Sequence, residues 1–342
     1  MRAPARTAGP RERASTPAMS WLRAHVSQYE HPETGKAWWA FATSLPPFLL
    51  IWWLMYRALE FSYVLTLLLA FPAAGFVVRT FIVQHDCGHG TFFTSRRLRN
   101  NIGRLCSLFT LMPYGYFRHF HGAHHATSGK LDDRGFDIET LTVREYLALS
   151  PGRRFRYRLM RHPLALFGVA PVLYFVLAMR IPWCARRESK RERRSILYTN
   201  AALGLLVWAV VALVGLKAFL LAQLPITLIA ATAGMWLFYV QHQFENTYWA
   251  PDAEWDYAKA AMEGSSHYAL PRVLEWFTGG IGYHHIHHLS PRVPSYRLAQ
   301  CHRETTLFDG VPRITLRDGF RCARLALWDE REGRLVALAE LR

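Results

Sequence analysis

Acidic residues are scarce in this chain: 25 Asp and Glu stand against 41 Lys and Arg, a formal net charge of +16. An excess of that sign would suit nucleic acid, but no nucleic-acid-binding motif accompanies it. The basic runs flank apolar stretches instead, where the positive-inside bias and anionic lipid headgroups account for them. Nucleic acid is therefore not expected as a partner, whereas membrane lipid is. Cysteine is sparse too. Cys87, Cys106, Cys184, Cys301 and Cys322 form no Cys-x-x-Cys pair, which leaves neither a disulfide framework nor a zinc knuckle and fits a reducing compartment. Cys87 reads as a small packing residue. Residues 1–20 lack the apolar core of a secretory signal and read as a disordered basic arm.

What the chain has in abundance is apolar length. Its hydrophobic residues, 51% of the total, are gathered in long blocks with the charges between them, the pattern of an integral membrane protein. Residues 21–36 read as an amphipathic lead-in. At about 1.5 Å rise per residue, segments 37–59, 63–83, 196–216 and 218–240 are each long enough for a ~30 Å hydrocarbon core. Pro46 and Pro47 are expected to kink the first, and Arg79 to snorkel from the end of the second. Residues 105–117, interrupted by Pro113, suit an interfacial segment. Residues 311–342 alternate charges with Leu, Ala and Val and are expected to form a soluble amphipathic helix.

Histidine supplies the chemistry. His85 and His89 stand at i, i+4; His121, His124 and His125, then His284, His287 and His288, stand at i, i+3, i+4. On a helix these spacings place the imidazoles on one face, about one turn apart. A single pair is ordinarily a satisfied polar pair, but three clusters with one spacing point to a metal site. Imidazole suits iron, copper, zinc and nickel, and eight such ligands exceed the four that one zinc takes. They suit two ions with positions left open, which points to oxygen chemistry.

Topology follows from parity. If residues 163–182, interrupted by Gly168 and Pro171, crossed the bilayer, the third cluster would lie opposite the first two. Read as interfacial or re-entrant, they leave four transmembrane helices in two hairpins, with the termini and all clusters cytoplasmic under a helical cap. The fold class expected is thus an all-α integral membrane protein.

The three boxes, together with the runs Gln84-His85-Asp86-Cys87-Gly88-His89-Gly90, Gln241-His242-Gln243-Phe244-Glu245 and Trp276-Phe277-Thr278-Gly279, resemble the membrane fatty acid desaturases, most closely the bacterial acyl-lipid delta-12 (omega-6) type. The resemblance covers about residues 35–340, and the whole of 21–340 is expected to form one domain. It implies two ferrous ions, O2 as co-substrate, and a fatty acyl lipid desaturated at the cytoplasmic face of a bacterial inner membrane. It also implies a further ligand between the second hairpin and the third box, a position His242 matches. Where the acyl-CoA branch carries an Asn one turn earlier, this chain has Phe238. No haem-binding His-Pro-Gly-Gly run or rubredoxin-like Cys pair occurs, so the electron donor is expected to be separate, a ferredoxin. Asp86, Asp132, Asp133 and Glu245 are candidates to hold the outer imidazole nitrogens. His119 and His285 fall off the ligand faces as outer or substrate-side groups, and His25, His31, His162, His267 and His302 have no partner in sequence. Rival readings are a hydroxylase, epoxygenase, acetylenase or carotenoid oxygenase on the same scaffold, and, from another class, a metal transporter. The last would need ligands at mid-bilayer, and the spans carry none.

Overall fold

The computed structural model describes residues 17–135, 137–182 and 190–341. Most of the expected basic arm, and Cys184, lie outside the described residues. Residues 17–20, assigned above to that arm, instead begin the helix Pro17–Ser27. That helix is amphipathic, and its Leu22 and Val26 are buried with Tyr29 against Ile286, Val293 and Leu298.

Four helices are long and apolar enough to cross a membrane: Thr34–Ala58, Tyr63–His89, Lys190–Val214 and Leu216–Val240. The first is broken rather than kinked, into Thr34–Ala42 and Leu45–Ala58. Pro46 and Pro47 fall in the first turn of the second piece, where a missing N–H leaves no hydrogen bond unmade. Ser62 caps the next helix, which runs unbroken through His85 to His89 and ends at Gly90 in the left-handed conformation (φ 84°). Glycine adopts that conformation without strain and lets the last, histidine-bearing turn close on itself. Ala70 and Ala73 bury a smooth face of this helix among Phe48, Met55 and Ile226, since small residues let neighbouring helices approach.

Residues 163–182 fall in a bent pair of segments, Pro151–Arg161 and Ala165–Arg180, which meet at 60°. The second begins with a π-helical turn, Ala165–Val169, the irregularity that a wide helical turn introduces. Residues 105–117 divide between the helices Arg96–Thr110 and Tyr114–Thr127, separated by Leu111 at φ 56°.

Two expectations are corrected. The chain is mostly helical rather than all-α, because two small sheets are present. Leu141–Thr142 pairs in parallel with Leu325–Asp329, which pairs antiparallel with Arg334–Ala337; His267–Ala269 pairs in parallel with Arg313–Thr315. Residues 311–341 are therefore a strand, the short helix Leu316–Cys322 and a hairpin, where one amphipathic helix was expected over 311–342. The physical reason is burial on both faces of the hairpin. Leu327 packs with Tyr146 and Tyr157, while Trp328 stacks on Trp249, so apolar residues occur consecutively and mimic a helical pattern.

The C-terminal hairpin is joined to the helix ends by polar ties. The Arg161 guanidinium donates to the Tyr239 hydroxyl at 2.8 Å and to the Leu325 carbonyl at 2.9 Å. It fixes the end of the Leu216–Val240 helix just ahead of His242. Arg79 does not snorkel to solvent: it is buried, stacked 4.0 Å from the Trp276 ring.

Candidate metal centre

Four pieces of chain deliver the imidazoles to one place. His85 and His89 come from the last turns of Tyr63–His89, and His121, His124 and His125 from Tyr114–Thr127. His284, His287 and His288 come from the short helix His284–Leu289. His242 lies in the turn after Leu216–Val240, where its N–H donates to the Tyr239 carbonyl at 3.1 Å. Gly282 precedes the third box for a steric reason: a Cβ there would lie 2.4 Å from the Tyr268 carbonyl oxygen. Only glycine lets the strand His267–Ala269 run this close to the start of the histidine helix.

The imidazoles form two groups. Ligand nitrogens of His85, His89, His121 and His287 lie within 4.8 Å of one another, and so do those of His124, His242, His284 and His288. His125 sits between them, its Nε2 3.1 Å from that of His121 and 2.9 Å from that of His287, its ring stacked 4.2 Å from His288. All nine sequence-derived candidates are thus brought together, His242 included.

The donor set fits metal cations. The Nδ1–H of His85 donates to Asp86 Oδ1 at 3.0 Å and that of His242 to the Gly264 carbonyl at 3.1 Å. His124 Nδ1 meets Asp137 Oδ1 at 2.6 Å. An acceptor on Nδ1 fixes the tautomer of a neutral imidazole and leaves Nε2 as a bare lone pair. Yet Nε2 of His124 faces Nε2 of His242 at 3.2 Å, and His242 faces His284 at 3.0 Å. His85 faces His121 at 2.8 Å. Facing lone pairs need positive charge between them. A proton serves one such pair, whereas a metal ion serves several at once. For a metal–nitrogen bond of about 2.1 Å, adjacent corners of an octahedron lie about 3.0 Å apart, which matches these separations.

Burial sharpens the preference for the neutral, ligating form. It depresses the basicity of His121, His125, His284, His287 and His288 well below the ordinary imidazole value, with repulsion among neighbouring imidazoles adding to it. His242 is brought down to about 4 by burial and by His124. Burial alone would raise the Asp137 carboxyl, but attraction and hydrogen bonding from His124 hold it below its ordinary value. A histidine with a depressed folded pKa binds fewer protons folded than unfolded, so its contribution is present above about 6.5 and is lost as the pH falls toward 4. The metal-free protein is expected to show a melting temperature that is flat near neutrality and drops steadily between pH 6.5 and 4. A thermal-shift series with a chelator present checks this, and an unchanged melting temperature at pH 4.5 would contradict a buried neutral cage.

The outer partners divide the expectations. Asp86 holds His85 and accepts the Ser295 N–H at 2.7 Å, as anticipated. Asp132 instead accepts from the Asp252 N–H, Asp133 is exposed, and Glu245 pairs with Arg334; none of them reaches the cage. Asp137 was not singled out by sequence, and its only signal is membership of the acidic run after the second box. His119 is exposed, and His285 turns away to His302 Nδ1 at 3.2 Å. His267 and His302 are not isolated after all: His267 stacks on Tyr283, and the His302 ring packs at a tilt against both. Cys87 packs with Val83, Phe92 and Cys106, as a core residue.

A cavity of about 440 Å³ reaches the cage. Its wall includes Phe81, Phe109, Phe175 and Phe238, and it follows the Leu216–Val240 helix from Gln223 to Gln241, about 27 Å at 1.5 Å per residue. His85, His121 and His284 form part of the same lining. Phe238, 5.0 Å from the His124 ring, brings the cavity wall against the second group of imidazoles.

Residues 61–315 match the family model described as "Fatty acid desaturase". A fatty acid desaturase of Bacillus subtilis is 42% identical over 322 residues, 94% of this chain and 91% of the relative. The sn-1 oleoyl-lipid 12-desaturase of a Synechocystis species is 26% identical over 65% of this chain and 63% of its own. A chloroplastic omega-6 fatty acid desaturase of Arabidopsis thaliana is 28% identical over 65% of this chain and 49% of its own.

Proposed function

The chain belongs to the fatty acid desaturase family, and we propose that it inserts a cis double bond beyond an existing delta-9 bond, the delta-12 (omega-6) reaction, into an acyl chain of a membrane lipid. The observation that carries this reading is the junction of the apolar cavity with the cage: three of the imidazoles are also cavity wall. His85, His89, His121, His125 and His287 would hold one iron ion, and His124, His242, His284 and His288 the other. Bound there, iron would supply the redox chemistry that lets O2 take one hydrogen from each of two adjacent CH2 groups. O2 needs four electrons to become water. Two come from the C–H bonds and two from an external donor, for which a ferredoxin-type protein is proposed.

The chain's own residues bind, orient and exclude. Phenylalanines along the cavity hold an unactivated chain by apolar burial and exclude water that would otherwise intercept the reaction. The depth of the cavity fixes which carbons stand beside His85, His121 and His284, so position is selected by geometry rather than by any polar group on the chain. Asp86, Asp137 and the Gly264 carbonyl keep the Nδ1 protons of His85, His124 and His242, and leave Nε2 free to ligate.

The proposed topology is four crossings in two hairpins, with residues 21–340 as one domain at the cytoplasmic face of a bacterial inner membrane. Parity supports it. Tyr63–His89 and Leu216–Val240 both end at the cage, so an odd number of crossings separates them. Lys190–Val214 supplies one, which leaves the bent Pro151–Arg180 segments as re-entrant or interfacial.

The test is fatty-acid methyl ester analysis of a desaturase-poor bacterium expressing the chain together with a ferredoxin, with His284→Ala as control. A new diene with the wild type that vanishes with the variant is expected. Hydroxy or epoxy products would overturn the reaction type, and an unchanged profile from folded, iron-loaded protein would overturn the acyl substrate.

A further inference from the structure

A second cavity, of about 400 Å³, lies on the other face of the Tyr63–His89 helix and shares only Ile82 with the wall of the first. Its chemistry is different. Three guanidinium groups line it, Arg79, Arg272 and Arg303, against the single carboxylate of Glu275. None of the three arginines has an ion-pair partner among the described residues. Arg79 is 9% exposed, and its Nε has no hydrogen-bond partner. Its other nitrogens donate to the Trp276 carbonyl and to Thr43 Oγ1, and its guanidinium plane stacks on the Trp276 ring. A buried cation with no ion-pair partner, rigidly held with an N–H to spare, is equipped to receive an anion.

The height of the cavity identifies the anion. Arg79 stands about 24 Å along the helix from Tyr63 at 1.5 Å per residue, near the edge of a ~30 Å hydrocarbon core. Trp276, which packs on Arg79, is exposed at the same level, where tryptophan gathers at a membrane–water boundary. Lipid phosphate lies at that depth. We propose that this cavity binds the phosphodiester of a membrane phospholipid, held by Arg79, Arg272 and Arg303. It is a lipid separate from the acyl chain in the larger cavity. The bound phosphate supplies the missing counter-charge and ties the Arg272–Phe277 helix to the membrane-spanning helix beside it. The inference is independent of the reaction proposed above, because it concerns binding on a different face.

The test uses the full chain in detergent, titrated with phosphatidylglycerol and, separately, with a diacylglycerol of the same acyl chains, read by native mass spectrometry. The acyl cavity can hold either lipid, so the wild type is expected to retain one more phosphatidylglycerol than diacylglycerol. The double variant Arg272→Gln/Arg303→Gln, which alters exposed side chains only, is expected to weaken retention at least about tenfold, the loss of one or two charge-assisted hydrogen bonds. Arg79→Lys adds a check on the buried group, with its melting temperature reporting whether it folds. Equal retention of both lipids, or of phosphatidylglycerol by wild type and double variant alike, would overturn the proposal. Displacement by millimolar inorganic phosphate with no preference for lipid would overturn the lipid as the ligand and leave a free-anion site.

Discussion

His124→Ala is expected to abolish product formation, to remove metal from the group formed with His242, His284 and His288, and to destabilise the fold. Three losses follow from one side chain. The Nε2 that faces His242 at 3.2 Å disappears, so one of the four imidazoles of that group is gone. Asp137, whose side chain is 10% exposed, loses the imidazole 2.6 Å away and is left as an uncompensated buried carboxylate. A buried charged acceptor that loses its hydrogen-bond donor typically costs about 1.5–3 kcal/mol, and a loss of about that size is expected here. The ring also packs 5.0 Å from Phe238 at the cavity wall, so its removal leaves a void beside the reacting chain. Metal content by elemental analysis, melting temperature and product yield measure the three separately. A variant that kept its full metal complement would show that this imidazole is structural only.

Asp137→Asn is the second and more discriminating substitution. The amide oxygen still accepts the His124 Nδ1–H, so the fold and the ring orientation are expected to survive, while the negative charge that makes the imidazole a better donor is lost. Removal of such outer partners typically costs 10–100-fold in metal affinity or activity, and a loss of that size is expected in a chelator competition with the melting temperature little changed. Combined with His124→Ala, the same substitution is expected to restore part of the lost stability, because no carboxylate is then buried alone, and to restore none of the metal. This non-additivity in stability but not in binding separates a residue that positions a ligand from one that merely packs. If Asp137→Asn binds metal as tightly as wild type, the carboxylate has no hold on the site.

The cage was legible in sequence because helical spacing is local. His85 and His89, or His121, His124 and His125, share a face for reasons contained within two turns of chain. The same locality explains why Asp137 escaped notice. It lies beyond the end of its ligand helix, in irregular chain, and nothing about its spacing separates it from Asp132 and Asp133, which go elsewhere. His285 and His302 meet only because the Ser295–Arg303 helix folds back over the third box. The C-terminal residues misled for a related reason: a strand buried on both faces carries consecutive apolar residues, and alternation of the usual kind is absent.

Sequence alone determined the membrane-length apolar blocks, the three histidine boxes and their capacity to hold metal, since each depends on composition or on spacing within a few turns. Only the tertiary structure decided the sorting of imidazoles into two groups with His125 between them, the contact of Asp137 with His124, the wall of the apolar cavity and the arginine-lined cavity on the opposite face. Those features join residues far apart in the chain, and their distances are fixed by how helices pack, which no local spacing records.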